Sequence, residues 1–262
     1  MTAGAGTLKA SLRRVTVSIV SHGQGELVHT LLHQLDAFSQ ASIAKVIVTQ
    51  NLPETLSPAA LSLGFPLEII ANPMPLGFGC NHNQAFAHCG TDWFLVLNPD
   101  IELSSDAIGA LLAGAGRSAG IVAPSVQEPD CAGPTPERHC ITPWEVLVGQ
   151  RLRPAPPASP VWFPGMFMLF RAVAFKQAQG FDERFHMYCE DFDVCARLRL
   201  RGWLLERNRN VVVQHQAQRD SHARLRYLVW HLQSLMRLWT SAVFWRYWRQ
   251  CRGRPRPEGG LR

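Results

Sequence analysis

Short runs of apolar and β-branched residues recur along the chain, and an amphipathic segment lies between the first two of them. Runs of this length, bounded by turn-forming residues, are typical of buried strands. Leu27, Leu31 and Leu35 recur at the interval of a helix, which we expect to continue to about Phe38. The predicted strands are Val15–Val20, Lys45–Thr49, Leu67–Ile70, Trp93–Leu97, Ile121–Ala123 and Asn210–Gln214.

The first strand, the helix and the second strand form a β-α-β unit, which predicts an α/β fold with a mostly parallel sheet. Ligands of such sheets bind at the carboxyl ends of the strands. Ser21 and His22 follow the first strand, and Gln50 and Asn51 follow the second. We therefore expect these four polar residues to line one crevice, although an ordinary polar loop is an equally good interpretation of Gln50.

A proline-containing turn ends the most apolar of the predicted strands. Pro99 cannot continue the hydrogen-bond ladder and fixes a turn, which leaves Asn98 and Asp100 at the carboxyl edge of the sheet. Asn-Pro-Asp is by itself a common turn. Its position after a buried strand makes Asn98 and Asp100 candidate ligand-binding residues.

A second helical pattern begins at Glu190, shortly after the turn formed by residues 180–183, and Gly202 is a suitable end for it. Glu190 and Asp191 open this helix. The helix dipole stabilises carboxylates there, and the adjoining loop is a usual place for reacting groups. Acidic residues are also ordinary in a first helical turn, so their spacing alone gives them no catalytic role.

Composition limits the class of protein. The 262 residues are 47% hydrophobic and 18% charged, as in a globular α/β domain. The seven cysteines are scattered and contain no C-x-x-C, which argues against a disulfide framework or a zinc site and favours a reducing compartment. Neither a signal peptide nor a run of 18 apolar residues is found, so we expect a cytoplasmic protein.

Positive charge is concentrated near the C-terminus, where residues 209–262 contain 11 Lys and Arg against 2 Asp and Glu. From Leu225 onwards, apolar and Trp side chains at helical spacing alternate with arginines. Such a helix suits the anionic inner face of a membrane, although an ordinary core helix with a basic tail is the alternative. No helix-turn-helix, zinc finger or RNP motif is present, so we do not expect nucleic-acid binding.

The run G-F-D-E-R-F-H-M-Y-C-E-D-F-D-V-C-A-R-L-R-L-R-G-W, residues 180–203, resembles the acceptor-side motif of family-2 glycosyltransferases, especially their rhamnosyltransferase-like branch. The resemblance implies a GT-A-type, Rossmann-like fold over residues 14–215, with a mostly parallel mixed sheet flanked by helices. Residues 216–262 form a helical extension in this interpretation. The resemblance further implies that Asp191 is the general base, whose proton affinity Glu190 raises by like-charge repulsion.

The resemblance also implies a divalent metal, because Asn98-Pro99-Asp100 occupies the position of the family's Asp-x-Asp motif. A hard carboxylate oxygen suits Mg²⁺ or Mn²⁺, and the metal in turn neutralises a nucleotide diphosphate. Since Asn98 replaces one carboxylate, we expect Asp100 to be the principal ligand. The family also places a histidine after a late strand, which makes His215 a second candidate ligand.

Further substrate-binding residues follow from the same resemblance. Gly77 and Asn83 correspond to a segment near the donor, although Gly77 and Gly79 are also suited to a simple tight turn before a helix at residues 84–88. Gly165 lies in the family's Gly-containing strand, here residues 161–170, and lets a ligand approach the backbone closely. Gln50 stands where the family usually has an Asp that reads the nucleotide base.

Together these features predict an inverting glycosyltransferase that moves a sugar from a nucleotide diphosphate sugar to a hydroxyl group. By analogy with the branch, dTDP-rhamnose is the expected donor, and a cell-surface glycan or lipid-linked glycan is the expected acceptor. A catalytically inactive nucleotide-sugar-binding or scaffold protein of the same fold is one alternative. A nucleotidyltransferase is the other, and the lack of an early basic, glycine-rich triphosphate loop argues against it.

Overall fold

The computed structural model describes residues 14–54, 62–129, 131, 133–140, 142–143, 160–216 and 224–252. Within these ranges the chain forms one eight-stranded sheet with helices on both faces. The basic residues after 252 lie outside the described residues. The strands are β1 (Val15–Ser21), β2 (Ile43–Gln50), β3 (Leu67–Ala71), β4 (Trp93–Leu97), β5 (Ile101–Glu102), β6 (Ala119–Gln127), β7 (Phe167–Arg171) and β8 (Leu204–His215), and the helices are α1 (Gly25–Ser39), α2 (Phe78–Ala87), α3 (Ala107–Gly114), α4 (Ala172–Ala178), α5 (Glu190–Leu200), α6 (Arg224–Thr240) and α7 (Ala242–Arg252).

The sheet is mixed, with the order β3-β2-β1-β4-β7-β6-β8-β5. The first four strands in the chain pair in parallel, as the β-α-β pattern predicts. β7 is antiparallel to both β4 and β6, and β6 pairs in parallel with β8. Each of the six predicted strands lies within an observed strand, but β6 begins two residues earlier and ends four residues later than predicted, and β8 begins six residues earlier. The α/β fold with a mixed sheet is confirmed.

Two predictions of local structure are wrong. The strand expected at residues 161–170 begins only at Phe167, so Gly165 lies in the preceding loop. Pro164 lacks a backbone N–H and fixes its own φ angle, which disfavours a strand there. The second helix begins at Phe78 rather than near Gln84, so Gly79 lies inside its first turn.

Alternating side chains of the strands build two hydrophobic layers, one on each face of the sheet. Val15, Val17 and Ile19 face the layer that α1 and α3 cover. Phe94 and Val96 belong to the opposite layer, which contains residues of α4, α5 and α7. Burial of both faces explains why the central strands read as continuous apolar runs.

The C-terminal segment contributes to this second layer. Phe244 of α7 is fully buried against Phe192 of α5, with ring centroids 5.6 Å apart, and the Tyr247 hydroxyl donates a hydrogen bond to the Val161 carbonyl at 2.6 Å. A break separates α6 from α7, where the Ser241 hydroxyl accepts from the Phe244 N–H as a helix cap. None of the described helices combines the length and apolar character that crossing a membrane requires.

His82 of α2 is the only described histidine that is completely buried. Its Nδ1 lies 2.8 Å from the Ser18 hydroxyl of β1, and its Nε2 has no hydrogen-bond partner. Burial, assisted by the nearby His22, lowers the pKa of His82 to about 3. The folded protein therefore holds this imidazole neutral beneath the sheet.

We expect His82 to lower the free energy of unfolding of the protein in acid. Its pKa in the folded state lies below its unfolded value of about 6.5, so below that pH the unfolded chain binds a proton that the folded chain does not. Stability is thus lost as the pH falls from about 6.5 towards 3. In urea titrations at pH 7 and pH 5, His82→Gln should lose about 2 kcal/mol less stability between the two pH values than the wild type. His33→Gln, at an exposed position of α1, is the control, and an unchanged pH dependence in His82→Gln would contradict this assignment.

Candidate active site

The Glu190-Asp191 pair opens α5, as predicted, and the backbone leading into it is unusual. Tyr188 and Cys189 have φ angles of 71° and 70°, in the left-handed region that non-glycine residues rarely adopt. Such a conformation costs about 1–3 kcal/mol per residue and persists only where the surroundings enforce it. This turn directs the chain so that both carboxylates stand at the positive end of the helix dipole.

Asp191 is held by backbone N–H groups. Its Oδ1 accepts from the Phe192 N–H at 2.8 Å, and its Oδ2 accepts from the Gly165 N–H at 3.3 Å. Burial raises the pKa of Asp191, while these bonds and the charge of Arg138 oppose the shift. The residue keeps part of its surface accessible, so it is a carboxylate of increased basicity within reach of a ligand.

Glu190 has a different environment. It is buried, its Oε2 has no hydrogen-bond partner, and burial followed by the charge of Asp191 raises its pKa well above the usual value. Two carboxyl groups this close do not ionise independently. Burial is the largest cause of the raised pKa of both carboxyl groups.

The space beside Gly165, where a close approach of ligand is predicted, is occupied by a protein side chain. A Cβ atom there would lie 2.8 Å from the ring of Phe78. Gly77 is similar, because a Cβ would lie 2.6 Å from the carbonyl oxygen of His186. Both glycines let α2 pack directly against the loops that carry the acidic pair.

Asn83, predicted to lie near the donor, is engaged in a clamp on the turn at residues 181–183. Its Nδ2 donates to the Phe181 carbonyl at 2.9 Å and to Glu183 at 3.0 Å, and its Oδ1 accepts from the Phe181 N–H at 2.8 Å. These bonds use the donors and the acceptor of the amide. In the structure Asn83 therefore positions the Gly-Phe-Asp-Glu turn.

The residues after β1 and β2 meet at one edge, as predicted, since Ser21 pairs with Gln50 in the sheet register. Asn51 is buried, and its side chain donates to the Leu76 carbonyl at 2.9 Å, so it fixes the loop before α2. His22 lies 3.3 Å from the Asn51 amide, and burial lowers its pKa. Gln50 is partly exposed at the mouth of this edge, where its amide donates to the Glu54 carbonyl at 3.3 Å.

Asp100 and His215, far apart in sequence, lie side by side because β5 and β8 pair antiparallel. The Asp100 Oδ2 is 3.2 Å from the His215 Nε2, and Asp100 Oδ1 is buried without a partner. The other ring nitrogen of His215 is 2.9 Å from Glu128 Oε1. Hydrogen bonds to Asp100 and Glu128 raise the pKa of His215 to about 8.

These groups fit a divalent cation in part. Two ligand atoms that bind one Mg²⁺ at right angles are about 3 Å apart, close to the Asp100–His215 separation. Glu128 then orients the histidine through its second nitrogen, as carboxylates do in metal sites. In the described part of the chain no three His, Cys, Asp or Glu side chains form a group that could hold a metal ion.

One short segment contacts both Asp191, at the start of α5, and Asn98, which lies two residues before Asp100. The Asn98 N–H donates to the Met166 carbonyl at 2.9 Å, and the preceding residue, Gly165, donates to Asp191. Asn98 itself is partly exposed beside this bond. The loop at residues 165–166 thus lies between the predicted base and the predicted metal ligands.

Sequence reasoning missed one residue of the site. Glu128 directly follows β6, so the rule that polar residues after strands line the ligand edge points to it, but its pairing with His215 depends on the non-sequential contact of β6 with β8. Arg138 stacks on Trp162, with its guanidinium carbon 5.2 Å from the ring centroid, and its charge reaches Asp191. The family resemblance places the segment that contains Arg138 over the acceptor side, where a contact with an anionic acceptor or a solvated surface is expected.

Comparisons with known proteins agree with this geometry. The profile described as "Glycosyl transferase family 2" matches residues 26–177. The N-acetylglucosaminyl-diphospho-decaprenol L-rhamnosyltransferase of Mycobacterium tuberculosis is 29% identical over 72% of this chain and 71% of its own length. The rhamnosyltransferase WbbL of Escherichia coli is 28% identical over 85% of this chain and 91% of its own.

Among solved structures, the mannosyltransferase PcManGT from Pyrobaculum calidifontis, in complex with GDP-Man and Mn²⁺, has a TM-score of 0.63 at 15% identity. The match covers 91% of this chain and 68% of that protein, which shows a common fold. With more than half of the sequence matched by the family profile, the chain belongs to glycosyl transferase family 2, as a rhamnosyltransferase-like glycosyltransferase with the GT-A fold.

Proposed function

We propose that this glycosyltransferase transfers rhamnose from a nucleoside diphosphate sugar, with dTDP-rhamnose as the first donor to test, to a hydroxyl of a lipid-linked glycan. The observation that carries the proposal is the partly accessible, basic Asp191 at the start of α5, separated from the Asp100 edge by the loop at residues 165–166. The names of the two curated relatives support the choice of sugar. The name of the mycobacterial relative supports an N-acetylglucosaminyl diphosphate lipid as acceptor.

The reaction needs one proton transfer and one substitution. Asp191 accepts the proton of the acceptor hydroxyl while the acceptor oxygen forms a bond to C1 of the sugar. The bond from C1 to the diphosphate breaks on the opposite side, and its electron pair leaves with the diphosphate, so the anomeric centre is inverted. An ionised carboxylate with a raised pKa suits the first step.

The donor belongs at the edge where β1, β2 and β4 end. His22 and Gln50 offer polar contacts to the nucleoside, whereas Ser21 is fully buried and its hydroxyl accepts from the Gln24 N–H at 3.1 Å. Asn98 is partly exposed next to the loop at residues 165–166, where Gly165 donates to Asp191. Asp100 and His215 are the residues that would hold Mg²⁺ or Mn²⁺. When bound, the metal supplies positive charge to the departing diphosphate.

The described part of the C-terminal extension has a face suited to a membrane surface. Residues 224–252 contain six arginines and no Asp or Glu. Leu228, Val229, Leu232 and Met236 are exposed along one side of α6. An exposed apolar stripe with surrounding positive charge fits an anionic bilayer, which would place the enzyme at the inner face of the cytoplasmic membrane.

Replacing Asp191 with Asn should remove transfer and leave donor binding intact. The amide cannot accept the proton, so we expect turnover to fall about 10²–10⁴-fold. Transfer is measured with radiolabelled dTDP-rhamnose and a prenyl diphosphate N-acetylglucosamine acceptor, and donor binding is measured by calorimetry with dTDP. Asp92→Asn, an exposed carboxylate paired with Arg14, is the matched control. Near wild-type turnover in Asp191→Asn would exclude Asp191 as the base.

The assignment of Asp100 and His215 as metal ligands predicts that different substitutions lower the affinity for Mn²⁺ by different amounts. In calorimetry with Mn²⁺ and a saturating nucleoside diphosphate, Asp100→Asn should lose the metal-dependent part of binding because the principal carboxylate ligand is gone. Glu128→Gln should weaken Mn²⁺ about 10–100-fold, as loss of an orienting carboxylate does elsewhere. Glu102→Gln, exposed on the same short strand, should change nothing. Unchanged Mn²⁺ affinity in Asp100→Asn would exclude Asp100 as a metal ligand.

A further inference from the structure

A groove with a volume of about 1020 Å³ lies between residues 184–186 and the facing surface of α6 and the start of α7. Arg184, His186 and Arg237 line it, and none of the described lining residues is a carboxylate. Asp182 pairs with Arg184 at 2.6 Å. No ion pair joins Arg237, which is exposed, to any described residue.

The rest of the groove is largely apolar. Trp230, Leu232, Met236 and Val243 contribute to its wall. Leu232 and Met236 are 53% and 61% exposed, so their side chains have apolar surface available to a ligand. They continue the exposed stripe of α6 that begins at Leu228. The groove therefore combines arginine side chains with exposed apolar surface.

The groove is coupled to the segment that carries the proposed base. The ring of His186 lies against Trp230, with centroids 4.5 Å apart. The Ser234 hydroxyl donates to the Met187 carbonyl at 2.8 Å, and the ring of His231 packs on Tyr188. Residues 186–188, which shortly precede Glu190, thus all contact α6. His186 is five residues from Asp191, so their backbones are at most about 18 Å apart.

We propose that this groove binds the diphosphate and the first prenyl units of the lipid-linked acceptor. Guanidinium groups match diphosphate oxygens in charge and in hydrogen-bond geometry, and Arg237 lacks a competing carboxylate. The apolar wall and the stripe of α6 receive the hydrocarbon chain that leads to the bilayer. The sugar at the other end of the diphosphate is then directed towards the turn that carries Asp191. This inference rests on the proposed lipid-linked acceptor.

Farnesyl diphosphate is a suitable probe, because it has the charged group and the prenyl units without the sugar. We expect it to bind the wild-type protein in calorimetry. Arg237→Glu should weaken binding at least tenfold, since it replaces a matching charge with a repelling one. The double variant Leu232→Ser and Met236→Ser should also weaken the binding of farnesyl diphosphate. Inorganic diphosphate, which we expect to bind less tightly than farnesyl diphosphate, should bind this variant and the wild type equally. Arg117→Glu, an exposed arginine outside the groove, is the matched control.

Nucleoside diphosphate binding with Mn²⁺, measured on every variant, separates failure of this inference from failure of the proposed function. Its retention shows that a variant is folded with an intact donor site. If the wild type binds a nucleoside diphosphate but not farnesyl diphosphate, or if the two compete fully, the groove is not the lipid diphosphate site. The same holds if the groove variants reduce only sedimentation with anionic vesicles. If no nucleoside diphosphate binds the wild type, the proposed function itself fails.

Discussion

The left-handed turn at Tyr188 and Cys189 is the constraint on which the site depends, because it sets where α5 begins and therefore where Asp191 points. The turn is unfavourable by itself, so its neighbours must hold it in place. The Phe78 N–H of α2 bonds to the carbonyl of His186 at 3.0 Å, and Ser234 of α6 bonds to that of Met187. Two helices that are far apart in the sequence, α2 and α6, thus fix the segment that leads into the acidic pair.

The other side of α5 is fixed by a buried ion pair. Arg197 contacts Asp193 at 2.6 Å and also donates to the carbonyls of Ala178 and Gly180. A buried ion pair contributes little net stability unless its remaining hydrogen bonds are made. Here both backbone carbonyls accept from Nη1 of Arg197, and its buried Nη2 has no hydrogen-bond partner. Arg197 thereby joins α5 to the turn at residues 180–183, whose Phe181 N–H donates a hydrogen bond to Asn83 of α2. The acidic pair is held by groups on several elements, which is how a rigid site keeps its geometry.

Much of this arrangement follows from the sequence. Apolar runs located the strands because a doubly covered sheet buries both faces of each strand, and the same logic placed Ser21, Gln50 and Asp100 near the carboxyl ends of strands. The antiparallel insertion of β7 could not be predicted, since strand order depends on contacts between distant segments. Asn83 shows the same limit: its partners are 98 residues away, so its pattern suggested a ligand contact where the structure has a clamp on the backbone. Glu128 was missed for the equivalent reason, because it meets His215 only after β6 and β8 pair.

The contact of Tyr247 with the Val161 carbonyl and the burial of Phe244 against Phe192 have a consequence for the order of assembly. Every residue of the proposed catalytic machinery precedes α6 and α7 in the chain, yet the strained turn beside the base is braced by α6, and the core beneath α5 is completed by α7. During synthesis, the strands of the sheet therefore emerge before the helices that secure this turn. Competence for transfer should be a late event in the maturation of this enzyme, reached when its C-terminal helices dock.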